Sequence, residues 1–306
     1  MKKILSVLLF FMALTQAYAI PQYYCTAANQ ADFPQLLNLI GSIHATNFDQ
    51  LEQIAVFDLG LTQEQKDKLN MIQKVKLCTF KEQNPDLFTY YTLVAGYQVQ
   101  GWHIWKPIAI KEALDFCPYL LFIGVDSGAI VLKPLDPLFT YIQQKGYFLT
   151  TIGDELINGK FPHPLRGEVT DFVKDKFNLE DPSKVAILSK EPVMSNLVGT
   201  TRRAYSSFAK EWYSLSKDIR YFADDGSAPD GIGAGRHAQT ILSILAYSNG
   251  LEVLKQDHKQ RQPMLLPIGR ELIPFYVTWN AEFVDQRTSI FTTGKERNMR
   301  SFIKYK

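Results

Sequence analysis

The chain has 306 residues, 46% hydrophobic and 21% charged, which are the proportions of an ordinary globular protein. Its net charge of +2 gives no electrostatic basis for binding nucleic acid, and no basic run supplies one. Aromatic residues make up 13%, which suits a cleft with stacking surfaces and a large core equally well. Met1-Lys2-Lys3 is a basic start, Ile4 to Leu14 is apolar, and Ala17-Tyr18-Ala19 is a small-x-small cleavage site. Residues 1–19 are therefore expected to be a secretory signal peptide. The apolar stretch is shorter than a bilayer span, and no later stretch is expected to cross a membrane. The remaining 20–306, about 285 residues, carry no Ser/Gly linker and are expected to form a single domain. Its place would be secreted or periplasmic, or the lumen of the secretory pathway in a eukaryote.

The mature chain opens with a strand, Tyr23 to Ala28, followed by a helix with Phe33, Leu36, Leu37, Ile40 and Ile43 on one apolar face. Leu51 to Leu59 is a second strand, and Thr62 with Gln65 forms a capping-box pattern opening a helix to about Ile72. Val75 to Phe80 is a third strand. Strand, helix, strand, helix, strand in this order is the βαβαβ pattern of a doubly wound α/β fold, a mainly parallel sheet with helices on both faces.

Pro107 suits the first turn of a helix that leads into Tyr119 to Val125, an apolar run of strand length buried on both faces. The run ends at Asp126-Ser127-Gly128 and resumes as Ala129-Ile130-Val131-Leu132. A carboxylate at the C-terminal end of a central strand, followed by glycine, sits where open α/β sheets bind ligands; an ordinary Asp-Ser-Gly turn is the plainer alternative. A helix from Pro137 to Lys145, a strand from Tyr147 to Ile152, a loop through Gly167 and a short helix from Val169 to Phe177 follow. Val193 to Thr200 is read as a strand ending in glycine, and Ala204 to Leu215 as a helix with Tyr205, Phe208, Trp212 and Leu215 inward. Asp224 to Gly235 holds four glycines and three aspartates ahead of Arg236-His237-Ala238-Gln239-Thr240 and the helix Ile241 to Tyr247. The last sixty residues are expected to be strands and coil wrapping the domain.

Cys25, Cys78 and Cys117 are an odd count without C-x-x-C spacing, which argues against a zinc site or disulfide framework. They are read as buried small hydrophobes, with one disulfide of unassigned pairing left open. His44, His103 and His163 show no metal-ligand spacing. Trp102 and Trp105 fit either a ring-stacking surface or the core.

Taken together, the opening strand and turn, the helix at Lys106-Pro107, Val125-Asp126-Ser127-Gly128, Lys133-Pro134-Leu135-Asp136-Pro137-Leu138-Phe139 and the later Leu197-Val198-Gly199 and Arg236-to-Thr240 phrases resemble GT-A type nucleotide-sugar glycosyltransferases. The broad group is the one that includes the family 8 enzymes, and the match spans most of residues 22 to 250 through arrangement more than identity. The resemblance implies a GT-A-like domain over 20–306 that transfers a hexosyl group from a UDP-sugar to a glycan, lipid or protein acceptor. It implies Asp126 and Gln239 as catalytic residues, with Thr26, Ala27, Lys106, Ser127, Gly128, Gly199 and Arg236 around the donor. In that family an Asp-x-Asp motif holds a divalent metal, manganese or magnesium, against the diphosphate. Here Asp126 matches the first acid and Gly128 stands at the second, so Asp126 with His258 is the pair left to hold such an ion.

A second departure is Ala238, where related sequences tend to carry an acid; Asp224, Asp225 and Asp230 lie just upstream. These two gaps favour the competing expectation, an exported, catalytically silent relative that binds carbohydrate or a partner. An unrelated exported hydrolase would need a nucleophile motif, and none is present.

Overall fold

The computed structural model describes residues 20–92, 98–125, 128–151, 164–231, 237–255, 264–278, 289–293 and 298–306. The leader expected at 1–19 and the loop expected at 153–163 lie outside them. Among the described residues no helix is long and apolar enough to cross a membrane.

Strand β1 (Gln22–Ala28) runs into helix α1 (Phe33–Asn47), then β2 (Leu51–Asp58), α2 (Gln63–Asn70) and β3 (Val75–Cys78). The capping box at α2 forms as its sequence dictates: Thr62 Oγ1 accepts from Gln65 N at 3.3 Å, and Thr62 N donates to Gln65 Oε1 at 3.0 Å. A hairpin of β4 (Tyr90–Thr92) and β5 (Gln98–Gln100) precedes α3 (Trp105–Leu114) and β6 (Tyr119–Ile123). Then come β7 (Ala129–Val131), α4 (Asp136–Lys145), β8 (Tyr147–Phe148), α5 (Asp171–Phe177), β9 (Leu197–Thr201), α6 (Ala209–Leu215) and α7 (Ala238–Ser248). Three strands close the order, β10 (Met264–Ile268), β11 (Glu271–Thr278) and β12 (Ser289–Thr293).

The main sheet is ordered β3-β2-β1-β6-β9-β8. Its first four strands are mutually parallel, while β9 runs antiparallel to both β6 and β8. The fold is thus α/β with a mixed, mostly parallel sheet. Strand β6 shows why its sequence is apolar throughout. Leu120 and Phe122 enter the core beneath α3, α6 and α7, with Trp105, Ile108, Phe208, Trp212 and Ile241. Tyr119, Leu121 and Ile123 enter the opposite core beneath α1 and α4, with Leu36, Ile40, Leu138 and Phe139. Alternate residues of one strand feed two cores, so no position is free to be polar.

Three features differ from or go beyond the sequence reading, the first being that the strand read as Val193 to Thr200 begins only at Leu197. The run after Gly128 leaves the main sheet: β7 pairs antiparallel with β12 in a second sheet ordered β10-β11-β12-β7. It is held against α1 by Val131 N, which donates to Ser42 Oγ at 2.9 Å. The expected helix at 204–215 is broken at Phe208 (φ −159°, ψ −38°) into a 3₁₀ turn, Tyr205–Ser207, and α6.

The phrase Lys133-to-Phe139 has a structural task. Asn47, at the end of α1 and 1% exposed, accepts from Leu135 N at 2.7 Å and donates to Lys133 O at 3.5 Å, which docks the start of α4. All three cysteines are free and buried. Cys25 in β1 pairs with Ala55 and Cys78 in β3 with Phe57, on opposite sides of β2, so two strand spacings alone put them at least about 9–10 Å apart, beyond disulfide reach.

Candidate functional site

The parallel strands β1, β2 and β6 end at one edge of the sheet, and the residues there are tied together before any ligand is considered. Thr26 Oγ1 donates to Ile123 O at 2.6 Å, stitching the end of β1 to the end of β6. Thr26 and Ala27 are each 1% exposed, so both are interior residues of the sheet and not an open surface. Gly124 N, just beyond β6, donates to Asn196 O at 2.9 Å. Gly128, at φ +67°, returns its N–H to Val125 O at 2.9 Å. Asp126 and Ser127 fall between those two anchors and lie outside the described residues, as do Arg236 and His258.

Lys106 is where the structure differs most from what a lysine at a helix start suggests. In the first turn of α3 it is 3% exposed, with Nζ bonded to Asn196 Oδ1 and 5.3 Å from the Trp105 ring centre. A buried ammonium costs several kcal/mol unless it is partnered, so Asn196 and the indole face are part of its site. Asn196 in turn receives the N–H of Gly124, which links Lys106 to the end of β6 through a single residue.

Beside this lysine lies a group that the spacing of the sequence does not reveal. Trp102 (φ 47°), His103 (φ 62°) and His237 (φ 47°, ψ −116°) hold positive-φ backbone that side-chain-bearing residues rarely adopt. Their rings pack together, with Trp102 to His237 at 4.6 Å and His103 to His237 at 5.6 Å. Tyr91 stacks on Trp102 at 5.3 Å and 24°. Strain of this kind costs about 1–3 kcal/mol per residue and concentrates where geometry serves function. Burial, followed by the charges of Lys106 and His237, holds His103 well below the usual imidazole range, so it is neutral. His237 Nδ1 lies 2.9 Å from Phe222 O, and because a carbonyl only accepts, Nδ1 carries the hydrogen.

Gln239 stands in the first turn of α7, with Nε2 donating to Glu168 Oε2 at 3.4 Å. Glu168 is 4% exposed, a buried carboxylate at the junction between the stretch read as loop and the helix expected from Val169. Ala238 is itself 1% exposed in the core beneath α7, so position 238 faces packing.

Gly199 lies in the middle of β9, opposite Leu121, and not at a strand end. A Cβ there would sit 2.6 Å from Ile142 and 2.8 Å from Phe148, so the glycine admits α4 to the sheet. The structure thus brings Lys106, Thr26 and Gly128 to the end of β6 and puts Gly199 in a core. Among the described residues no three His, Cys, Asp or Glu side chains converge as a metal-ligand group. The sequence signal that could have found the histidine group is the density of rings in Gly101-Trp102-His103-Ile104-Trp105; Glu168 and Asn196 give none.

No protein-family model matches the chain, and no curated protein matches it by sequence. Solved structures do resemble it. Core-mannan synthase A (CmsA/Ktr4) from Aspergillus fumigatus, in its Mn/GDP form, is 11% identical with a TM-score of 0.48, over 76% of this chain and 71% of that one. An active-site mutant of LgtC is 15% identical with a TM-score of 0.40, over 65% of each chain. The bifunctional glycosyltransferase WbbM is 11% identical with a TM-score of 0.45, over 78% of this chain and 39% of its own. The chain therefore spans well under half the length of WbbM. Likenesses this distant assign neither donor nor acceptor.

Proposed function

We propose that the chain is a GT-A type glycosyltransferase that takes a hexosyl group from a nucleotide sugar, a UDP-sugar first among them, and passes it to a glycan, lipid or protein hydroxyl. The observation that carries this is the buried Lys106 ammonium, held by Asn196, which also takes the N–H of Gly124 just beyond β6, two residues ahead of Asp126 in the sequence. A fixed cation at the C-terminal edge of parallel strands suits an anionic ligand such as a diphosphate. In the reaction the bond between the sugar's anomeric carbon and the diphosphate oxygen breaks as the acceptor oxygen bonds to that carbon. The acceptor's proton passes to the departing diphosphate oxygen or to solvent, and the nucleoside diphosphate leaves. Lys106 and Arg236 neutralise the leaving charge, Asp126 orients the donor, and Gln239 bonds sugar hydroxyls; most of the rate comes from positioning and charge stabilisation. Ser127 and Gly128 are assigned to the donor in the same proposal, while Thr26 and Ala27, each 1% exposed, support the end of β1 from inside the sheet. A manganese or magnesium ion enters the proposal through Asp126 and His258 alone, and no step is assigned to it. Export by the leader at 1–19 is part of the same proposal.

Titration calorimetry with UDP-glucose, UDP-galactose and UDP, with and without manganese, tests it directly. Binding of at least one, with slow hydrolysis that Asp126→Asn abolishes, is the expected result; no binding and no hydrolysis would sink it. Gly128 and Ala238, standing where acids are expected, favour one alternative, a carbohydrate-binding module without turnover. In that case Asp126→Asn leaves glycan binding unchanged.

A further inference from the structure

We infer that Glu168 is a positioning residue that fixes the side-chain amide of Gln239, so that the site presents the amide oxygen, a hydrogen-bond acceptor, to its ligand. A carboxylate can only accept, so the group of Gln239 facing Glu168 Oε2 at 3.4 Å is the NH2 and not the oxygen. With the nitrogen committed, Oε1 is turned the other way. Glu168 is 4% exposed, whereas Gln239 is half-buried, so the carboxylate anchors the pair from the protein interior and the glutamine is the member that reaches a ligand. The anchor is set by local structure: Glu168 N donates to Leu165 O at 3.0 Å, closing the 3₁₀ turn Leu165–Gly167. Gly167 in that turn lies hard against Asp230, where an added Cβ would meet a carboxylate oxygen at 2.2 Å. The turn that carries the carboxylate is also tied to the loop at 230, since Asp230 N donates to Gly167 O at 3.3 Å.

The consequence for recognition is specific. An acceptor oxygen at this position selects a ligand group that donates, such as a sugar hydroxyl, over one that only accepts, such as a phosphate oxygen or a ring oxygen. It also supplies through position 168 an acid that position 238 lacks, one shell removed from the ligand. This rests on the glycosyltransferase reading for the identity of the ligand, but the amide orientation stands apart from it.

The test uses the full chain and two readouts. In ¹⁵N-resolved NMR the side-chain NH2 signals of Gln239, assigned by their loss in Gln239→Ala, should lie away from free-amide positions in the wild type. They should collapse toward them in Glu168→Ala and move part of the way in Glu168→Gln, which retains an acceptor. In hydrolysis of whichever of UDP-glucose and UDP-galactose the wild type turns over, Glu168→Ala should lower kcat about tenfold, as expected for one lost charge-assisted bond. Affinity for UDP, which has no sugar, should not change, and Glu168→Gln should recover most of the loss. The inference is overturned if neither variant moves the Gln239 signals, or if the Glu168→Ala loss falls equally on UDP affinity. Should the wild type bind no nucleotide sugar, the glycosyltransferase reading falls, and the NMR comparison alone decides the role of Glu168. If Glu168→Ala does not fold, Glu168→Gln carries the same decision.

Discussion

His44 shows how much a single buried group can couple the fold to pH. It is 2% exposed on α1, and its Nδ1 accepts from Lys304 N at 3.0 Å. Burial, followed by the charge of Lys304, pushes its pKa from 6.5 down to about 4. Between those values the unfolded chain takes up a proton that the folded chain refuses. The stability this group allows is complete above pH 6.5 and is lost as pH falls toward 4. Thermal melts across pH 4 to 7 should show Tm falling through that window, and His44→Asn, which accepts the same bond without titrating, should flatten the slope. Gly199 gives a second residue-level expectation. Gly199→Val pushes branched carbon into Ile142 and Phe148 and should cost about 1–3 kcal/mol in denaturant unfolding, with the fold retained. The glycine was visible in the sequence, but its reason was not, because a close approach by α4 leaves no mark on the residues around position 199. Lys106 is similar. A lysine beside a helix-starting proline is commonly solvated, and its burial depends on Asn196, ninety residues along the chain.

At the scale of elements, the local rules wrote most of what formed. Thr62 and Gln65 announced α2, and both halves of the capping box are made. Thr62→Ala should cost about 1 kcal/mol, read from the shift of the urea midpoint. The apolar face of α1 was equally legible from its spacing. What covers the opposite side of α1 was not. Residues 298–306 cross it as a strap: Met299 N donates to Asn38 Oδ1 at 3.2 Å, Gln73 N donates to Lys304 O at 2.9 Å, and Ile303 is 8% exposed. Gly41 lets the strap lie close, since a Cβ there would stand 2.0 Å from Met299 O. Removing residues 298–306 should lower Tm by several degrees, as expected for unburying one isoleucine and breaking its flanking bonds, worth about 2–3 kcal/mol. No motif in 298–306 signals this, because a strap is defined by what it touches. The strained turn at Trp102 and His103 lies between: its rings were apparent, while its φ values depend on the contact with His237, far along the chain.

At the scale of the molecule, the order of strands and helices through β6 followed from periodicity and turn residues. The direction of β9 did not. A strand buried on both faces reads the same whichever way it runs, and only its pairing with β6 settles the matter. Two cores on either side of one sheet also explain the cysteines, which serve as small apolar side chains in strands and at their ends. Burial raises Cys78 and Cys117 to about 11 and holds Cys25 well above the ordinary thiol range. Intact protein treated with iodoacetamide at neutral pH should therefore stay unmodified by mass spectrometry, and protein unfolded in guanidinium should gain three adducts.

The strap has a consequence in time as well as in space. Lys304 meets His44 across 260 positions of sequence, so a ribosome adds all of those residues after His44 before the outer side of α1 is closed. Until then the nascent chain carries an uncovered flank, and whatever shields it in the cell must hold on until those later residues have been added.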